Sequence, residues 1–274
     1  MMLEITNYSL YLRREEKSPL TCEKYLRDVR TFLAWLAGRE LRKEEVLAYK
    51  ARLLERYAVS SANSMLSSLN HFLDFSGRPD CKVKQFKRQR EIFASREKEL
   101  SRQDYQRLLR AAKHDPRLCL LMQTICSTGI RVSEHRFITV EAARRGVAQV
   151  QCKGKLRSVL LPRKLCRALL SYAASRGITQ GSIFITRRGN PLDRSRIWAD
   201  MKKLCRTAGV PAEKVFPHNL RHLFARTYYA VEKDVVRLAD LLGHSSINTT
   251  RIYTMESGTE HRRQIERLPL LYLT

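Results

Sequence analysis

Apolar residues in the first 80 positions recur at the spacing of amphipathic helices. In the stretch PLTCEKYLRDVRTFLAWLAG, Pro19 and Thr21 mark a helix start and Gly38 marks its end. One face of this helix carries Tyr25, Val29, Phe32, Leu33 and Leu36. SSANSMLSSLNHFLDFSG repeats the pattern, KEEVLAYKARLLERYA predicts another helix, and one more precedes Ser18. The pattern therefore predicts a small all-helical domain of four short helices over residues 1–80.

The periodicity changes in the second part of the chain, residues 99–274. Ser101, with Asp104 three residues later, predicts the capped start of a helix, and a more apolar helix ends at Gly129. AQVQC and SVLLP predict two strands joined by the basic hairpin tip KGKLR, and SIFIT predicts a third strand. From Arg194 to about Ile265 the helical spacing returns. The predicted fold is mainly α with a small antiparallel β-sheet (α+β).

The excess of basic over acidic residues indicates what kind of partner the protein binds. The chain has 52 Lys and Arg against 27 Asp and Glu, a formal net charge of +25, and 43% of its residues are hydrophobic. A chain this apolar buries real cores, and a charge this large favours a polyanion as partner. Nucleic acid is favoured over a membrane surface, because the sequence has no run of ~18 apolar residues and no separate basic amphipathic helix.

A basic segment separates the two parts of the chain. Residues 81–98 hold five cations between positions 82 and 90, which predicts a linker between domains. The segment is either a solvated connector or a strip that follows a phosphate backbone. As DNA contacts we predict Lys82, Lys84, Lys87 and Arg88, together with Lys155 of the hairpin tip.

The cysteines point to a reducing compartment. The seven are scattered without a C-x-x-C pair, and their odd count fits free thiols rather than a disulfide framework or a zinc site. The first residues, MMLEITNYSLYLRREE, lack the basic start and apolar run of a signal peptide. We therefore expect a cytoplasmic protein without disulfides, metal or membrane attachment.

Four motifs place chemically active side chains in a fixed order along the second part of the chain. The motifs are TGIRVSE, CKGKLR, HNLRH and LLGHSSINTTRIYT. They supply, in order, Arg131, Lys153, His218, Arg221, His244 and Tyr253. Each residue alone is more often structural, such as an arginine paired with a nearby glutamate or a packed tyrosine. The ordered set is what indicates chemistry.

This set of side chains fits the cleavage of a phosphodiester. Two guanidinium groups can fork onto the non-bridging oxygens, and two histidines can donate or accept near neutral pH. A tyrosine hydroxyl becomes a nucleophile when cations stabilise the phenolate and a base takes its proton. A lysine on a hairpin can protonate the departing sugar oxygen. With no acidic cluster nearby, the sequence predicts metal-free attack of tyrosine on phosphate, without cofactor or ATP.

Together, the four motifs resemble those of the tyrosine recombinases, also called the phage integrase family. TGIRVSE resembles the family's first-arginine box, and CKGKLR resembles its β-hairpin lysine segment. HNLRHLFA resembles its His-x-x-Arg box, and LLGHSSINTTRIYT the box with the second histidine and the nucleophile. The resemblance spans roughly residues 98–256, and TCEKYLRDVRTFLAWL is similar, more loosely, to the family's core-binding (SAM-like) domain.

The resemblance implies a site-specific recombinase or integrase and a role for each residue. Arg131 and Arg221 would clamp the phosphate, His244 would bind it, His218 would be the base, and Tyr253 the nucleophile. The resemblance also implies a C-shaped clamp on the duplex, a homotetramer on two DNA sites, a Holliday junction and a 3′-phosphotyrosine link.

The hairpin and the segment that follows Arg131 bear on these assignments. The resemblance makes Lys153 the general acid, and Lys155 is the alternative because the hairpin is compact. Glu134 matches a position that usually supports the first arginine. His135, followed by Arg136, stands where the family usually has an apolar residue, so we expect altered packing or DNA contact there and no catalytic role.

The biological role stays open at the level of sequence. A recombinase of a mobile element is favoured, with Xer-type dimer resolution or a type IB topoisomerase as alternatives. A DNA-binding relative without catalysis is disfavoured because all six positions are filled. We expect a bacterial, nucleoid-associated protein, and an accessory DNA-bending or directionality protein is a further candidate partner. The tail after Tyr253 either packs on its own domain or docks onto a neighbouring protomer.

Overall fold

The chain forms two compact units, Met1–Arg90 and Glu91–Thr274, each with its own hydrophobic core. The computed structural model describes residues 2–87, 99–152, 155–244, 246–253 and 266, apart from the side chains of residues 2, 3, 152 and 155. Within these ranges, no helix is long and apolar enough to cross a membrane. The linker predicted over residues 81–98 stays a prediction.

Four helices build the first unit: α1 (Met2–Arg14), α2 (Pro19–Leu36), α3 (Lys43–Arg56) and α4 (Val59–Phe75). Helix α2 begins at Pro19, as its pattern predicts, because the Ser18 hydroxyl accepts a hydrogen bond from the Thr21 amide at 3.3 Å. It ends where Ala37 adopts a left-handed conformation before Gly38. The all-helical character predicted for this part of the chain is confirmed.

The core of the first unit lies largely between α2 and α4. Val29 and Phe32 of α2, and Leu69 and Phe72 of α4, are at most 1% exposed. Burial of a side chain of this size contributes roughly 1.5–3 kcal/mol. The two faces are therefore what holds the four short helices together.

The chain that follows α4 continues along the surface of the first unit. Asn70 exchanges two hydrogen bonds with the Val83 backbone, at 2.8 and 3.0 Å. Asn63 does the same with the Phe86 backbone, at 3.0 and 2.8 Å. These two side-chain amides satisfy backbone groups that would otherwise need a strand partner. Residues 82–87 are thereby fixed against α4.

The second unit is built mainly from helices. Its helices are α5 (Arg102–Ala111), α6 (Pro116–Thr128), α7 (Val140–Arg145), α8 (Arg163–Ser175), α9 (Arg194–Ala208), α10 (Pro217–Glu232), α11 (Val235–Leu242) and α12 (Ile247–Thr250). At the start of α5, Ser101 and Asp104 form a reciprocal capping box, which confirms the predicted cap. Gly129 ends α6 in a left-handed conformation, also as predicted.

A two-stranded antiparallel sheet accompanies these helices. Strand β1 (Val147–Cys152) pairs with β2 (Lys155–Leu160), and Val150 lies opposite Arg157. The strands reach further into the hairpin than predicted, since β2 already begins at Lys155. The third strand predicted for SIFIT is wrong: this segment makes only isolated bridges, including Thr139 with Ser182. Two of its three apolar residues, Ile183 and Phe184, are fully buried core residues instead.

Candidate active site

Arg221 is the most deeply buried cation of the candidate site. It lies in the second turn of α10, which begins at Pro217, and only 1% of it is exposed. Its Nη1 donates to the Gly129 carbonyl at 2.5 Å, and its Nη2 donates to the Leu242 carbonyl at 2.7 Å. The same Nη2 is 3.0 Å from His244 Nε2. The guanidinium is therefore fixed between the end of α6 and the end of α11.

Arg131 lies beside Arg221 and is held by Glu134. The Arg131 Nη1 donates to Glu134 Oε1 at 3.0 Å, and the Arg131 amide donates to Oε2 at 2.8 Å. Glu134 is 1% exposed, whereas 34% of the Arg131 side chain is exposed. The buried carboxylate orients a guanidinium that solvent, and so a ligand, can reach.

Glu134 also binds a third arginine. Arg157 of β2 donates from Nη2 to Glu134 Oε2 at 2.7 Å, and its side chain is 14% exposed. Its Nη1 donates to the Leu241 carbonyl of α11 at 2.7 Å. A buried carboxylate between two guanidinium groups is compensated for its loss of water.

Tyr253 is enclosed by histidine rings. It ends the turn Arg251–Tyr253 that follows α12, and it is 4% exposed. His222 meets the tyrosine ring edge-on at 4.7 Å between centroids, and His244 stacks on it at 6.0 Å with 19° between the planes. His218 in turn meets His222 at 4.5 Å. The histidine rings fix the plane of the tyrosine ring.

The ring of His244 is itself oriented by a buried hydroxyl. His244 Nδ1 lies 2.8 Å from Oγ1 of Thr250, which is fully buried on α12. The other ring nitrogen faces Arg221. Because Arg221 can only donate, Nε2 is the acceptor and Nδ1 carries the proton toward Thr250. His244 thus links the turn that carries Tyr253 to the buried arginine.

The electrostatics keep the histidines of the site neutral at pH 7. Burial, followed by the charges of Arg221 and Arg131, lowers the pKa of His244 to about 4. Burial and the neighbouring His218 lower the pKa of His222 to about 4. The pKa of His218 is lowered by burial and by Arg221 and Arg131. Burial also lowers the pKa of Arg221 to about 10, so this group stays charged at neutral pH.

The site does not contain all of the residues singled out in the sequence. The structure brings together Arg131, Glu134, His218, Arg221, His244 and Tyr253. Lys153 lies outside the described residues, and Lys155 is described only in its backbone. The general acid is therefore a prediction that no contact in the described chain tests.

The lysines predicted to contact DNA from the basic segment lie on the surface of the first unit. Lys84 and Lys87 are exposed at the edge of the first unit, whereas Lys82 pairs with Asp74 at 2.8 Å. Arg88 lies outside the described residues. Lys82 is exposed as well, and exposed lysines suit contacts with phosphate, so all three lysines stay candidates.

His135 and Arg136 have unrelated environments. His135 is 3% exposed, its Nδ1 contacts the Val132 carbonyl, and its ring meets Phe184 edge-on. Burial lowers its pKa, so a neutral imidazole fills space in the core. Arg136 is exposed and lies over the Phe137 ring at 5.0 Å. The departure at His135 is therefore an alternative packing solution.

Family models match both units of the chain. The model of the phage integrase family matches residues 98–260, and that of the phage integrase N-terminal SAM-like domain matches residues 5–78. The chain belongs to the phage integrase family of tyrosine recombinases. The predicted family, the mainly helical fold and the enzyme class are thereby confirmed.

Individual relatives of this tyrosine recombinase extend over nearly its whole length. Tyrosine recombinase XerA of Thermococcus kodakarensis is 30% identical over 279 residues, covering 97% of this chain and 95% of the relative. A lambda integrase dimer bound to a COC′ core site matches with a TM-score of 0.73 at 17% identity, covering 94% of this chain and 96% of that one. A lambda integrase tetramer bound to a Holliday junction matches with a TM-score of 0.71 at 18% identity, covering 92% and 76%.

The sequence assigns no role to two residues of the candidate site. The helical spacing puts His222 one position off the face shared by His218 and Arg221, yet its ring reaches Tyr253. The sequence pattern assigns Arg157 to the hairpin tip, yet it lies on the inner face of β2. One signal is available for Arg157: in β2, it shares strand parity with the buried Val159, whereas Leu156 is 72% exposed.

Proposed function

We propose that this tyrosine recombinase cleaves and rejoins DNA at specific sites through a covalent 3′-phosphotyrosine formed by Tyr253. One observation carries the proposal: His244 stacks on the Tyr253 ring and is bonded to the buried guanidinium of Arg221 at 3.0 Å. A phenol that is connected to a fixed cation through one histidine ring is placed to attack a group that the cation binds. Among eleven tyrosines, this arrangement favours Tyr253 as the nucleophile.

The two arginines are proposed to stabilise the charge that develops on phosphorus. Attack converts the phosphodiester into a five-coordinate state whose non-bridging oxygens gain negative charge. Arg131 is solvent-accessible and can bind these oxygens directly, while Arg221 supplies a buried charge that does not have to reorganise. His244 adds a hydrogen-bonding group next to Arg221. The two guanidinium groups are held by the fold before DNA binds.

The proton transfers complete the proposed mechanism. The bond between Tyr253 Oη and phosphorus forms as the bond between phosphorus and the 5′ oxygen breaks. His218 is proposed to take the phenol proton, which its lowered pKa permits because the ring is neutral at pH 7. Lys153, or alternatively Lys155, gives a proton to the departing 5′ oxygen. Attack by a 5′ hydroxyl reverses the steps, so rejoining needs no ATP, and the scheme uses no metal.

The proposed working form is a homotetramer on two DNA sites. The similarity in fold to a lambda integrase tetramer bound to a Holliday junction supports this assembly for the present chain. The net charge of +25 supports duplex DNA as the partner. Binding should weaken steeply with salt, because each phosphate contact releases a counterion. An accessory DNA-bending or directionality protein is compatible with this scheme.

We further propose that the enzyme serves a mobile element and acts in the cytoplasm at the bacterial nucleoid. Xer-type dimer resolution is the second candidate, favoured by 30% identity to a XerA recombinase over 97% of the chain. The location of the recognised DNA site separates the two. A site at the ends of a mobile element supports the first role, and a single chromosomal site supports the second.

The activity can be tested even though the target sequence is unidentified. A pool of nicked duplexes with randomised sequence beside the nick is incubated with the full chain. DNA that becomes covalently attached to protein under denaturing conditions is then sequenced. We expect the wild type to select a defined sequence, which supplies the substrate for later assays.

Tyr253→Phe is the decisive control, because it keeps the aromatic ring and removes only the hydroxyl. We expect adduct formation to fall by at least about 10⁴-fold, as in other enzymes that lose their nucleophile. An unchanged yield of adduct in Tyr253→Phe, or no adduct with the wild type on the whole pool, would refute the mechanism. Relaxation of a supercoiled plasmid that lacks the selected site would instead favour the topoisomerase alternative.

A further inference from the structure

Three arginines of the second unit bind the carbonyl groups at the C-terminal end of α11. The last carbonyl groups of a helix have no partner within the helix, and they form the negative end of its dipole. Here each of the three carbonyls before His244 accepts from a different guanidinium. The pairs are Leu241 with Arg157 at 2.7 Å, Leu242 with Arg221 at 2.7 Å, and Gly243 with Arg131 at 3.5 Å.

Arg157 is the one arginine of these three that lies on a β-strand and outside the two arginine motifs. It comes from β2, and it connects this strand both to α11 and, through Glu134, to Arg131. Both of its Nη atoms are engaged by protein oxygens, and only 14% of the side chain is exposed. Its charge is therefore directed at protein groups and not at a ligand.

The stem of Arg157 also packs against the turn that precedes His244. Gly243 has a φ of +64°, and a Cβ at this position would lie 2.7 Å from Arg157 Nε and closer still to Cδ. Because the guanidinium is held by Glu134 and Leu241, the stem cannot move aside without breaking a charged hydrogen bond. Arg157 and Gly243 thus fix each other's positions.

We propose that Arg157 is a positioning residue for DNA cleavage: it sets the path of the Gly243–His244 turn and, through Glu134, the orientation of Arg131. This inference rests on the proposed function of the site. A buried ion pair adds little to stability on average. The reason to keep a charged residue on the inner face of β2 is therefore the placement of His244 and Arg131 toward the scissile phosphate.

The test compares two arginines that have the same kinds of partner. Arg226 of α10 pairs with the Glu99 carboxylate and donates to the Leu100 carbonyl at 2.8 Å, so its partners within the described chain lie away from Glu134 and α11. Arg157→Met and Arg226→Met each remove one carboxylate contact and one carbonyl contact while keeping an unbranched stem. The substrate is the nicked duplex that the wild type selects from the randomised pool.

We expect Arg157→Met to slow adduct formation at saturating DNA by about 10²-fold, the effect of a displacement of roughly 1 Å at a reacting site. The affinity for the duplex should change by less than about threefold, because the phosphate contacts remain. Arg226→Met should stay within about threefold of the wild-type rate. Wild-type cleavage by Arg157→Met, or an equal loss in Arg226→Met, would overturn the assignment.

A double-mutant cycle separates positioning from general destabilisation. If Arg157 acts through Glu134, then Arg157→Met combined with Glu134→Gln should slow cleavage by much less than the product of the two single effects. Arg226→Met combined with Glu134→Gln should slow cleavage by the full product of its two single effects. Arg157→Lys, which keeps the charge but reaches only one partner, should recover part of the rate. Multiplicative effects in both cycles would contradict the proposal.

Amide hydrogen exchange gives a readout that does not depend on activity. The amides of Gly243 and His244 donate to Asp240 and Ala239, both at 3.0 Å. Both should exchange faster in Arg157→Met, while the Gly129 amide at the end of α6 should not change. Unchanged exchange at residues 243 and 244 would refute the positioning role. If the wild type formed no adduct, the proposed function would fail, and the exchange data would still decide whether Arg157 orders this turn.

Discussion

Two buried carboxylates, one in each unit, are neutralised in different ways. Asp28 in α2 is 6% exposed and pairs with Lys24, one turn earlier on the same helix, at 2.5 Å. It also accepts from Ser68 of α4 at 2.9 Å. Glu134 is 1% exposed and pairs with Arg131 at 3.0 Å and with Arg157, from a strand 23 residues further along, at 2.7 Å.

The two networks differ in the other groups that their cations bind. Lys24 also donates to the Ser64 carbonyl at 3.1 Å, so the Asp28 network joins α2 to α4. The arginines around Glu134 continue to the carbonyl groups next to His244. The first network joins two core helices, and the second reaches the turn before His244, whose ring stacks on Tyr253. Burial alone does not separate a structural carboxylate from one that serves a site.

Among the substitutions that test this comparison, removal of the charge of each carboxylate should have the largest effect. Glu134→Gln should lower the free energy of unfolding of the second unit by about 3 kcal/mol, because it leaves the buried Arg157 without its counterion. It should also slow adduct formation by about 10²-fold. Asp28→Asn should cost ~1–3 kcal/mol in the first unit. Its adduct formation should stay within about threefold of wild type.

Denaturant unfolding and single-turnover adduct formation measure both effects in the full chain. Saturating DNA separates a slower chemical step from weaker binding. The comparison breaks down if Asp28→Asn slows cleavage as much as Glu134→Gln at equal occupancy of the substrate.

A smaller effect should distinguish two glycines with similar backbone conformations. Gly38 and Gly243 have φ values of +80° and +64°, but a Cβ would meet nothing within 4 Å at Gly38 and would collide with Arg157 at Gly243. Gly38→Ala should cost about 1 kcal/mol for backbone strain alone. Gly243→Ala should cost about 2–3 kcal/mol, because packing conflict adds to the strain. If both variants lost the same free energy of unfolding in denaturant, the Arg157 side chain would have moved aside without cost.

The last comparison concerns the pH dependence of stability. His222 and His244 have folded-state pKa values of about 4, below the unfolded value near 6.5, so the unfolded chain binds more protons between these limits. Their stabilising contribution is complete above about pH 6.5 and is lost as the pH falls toward about 4. Each unit of pKa difference corresponds to ~1.4 kcal/mol.

Hydrogen exchange resolved by residue can follow the two units separately across this range. The second unit should lose protection on acidification, and His222→Gln should reduce the slope. In the first unit, burial lowers the pKa of His71. The first unit should therefore also lose protection on acidification, but by a smaller amount. A second unit whose protection is flat between about pH 6.5 and about pH 4 would contradict the environment described for the histidine rings.

Local signals in the sequence predicted many elements correctly. The start of α2 at Pro19, the capping box of Ser101 and Asp104, and the end of α6 at Gly129 all depend on residues within one or two turns of each other. The strand prediction for SIFIT is wrong because an apolar run has the same pattern in a strand and in a buried connection. The backbone partners of this segment are divided: Ile183 donates to the distant Ile138 carbonyl, whereas Phe184 accepts from Leu192, only eight residues later.

The sequence by itself determined the family, the two-part helical plan and the set of side chains available for chemistry. Only the tertiary structure decided how those side chains meet. Arg131 reaches Gly243 across 112 positions, and Arg157 reaches Leu241 across 84. Helical and strand periodicities describe which face a residue occupies over a few turns, whereas these hydrogen bonds depend on how separate elements pack. For that reason the motif could propose Tyr253 as the nucleophile, while the contacts of Arg157 with Glu134 and of His222 with Tyr253 could not be read from the sequence.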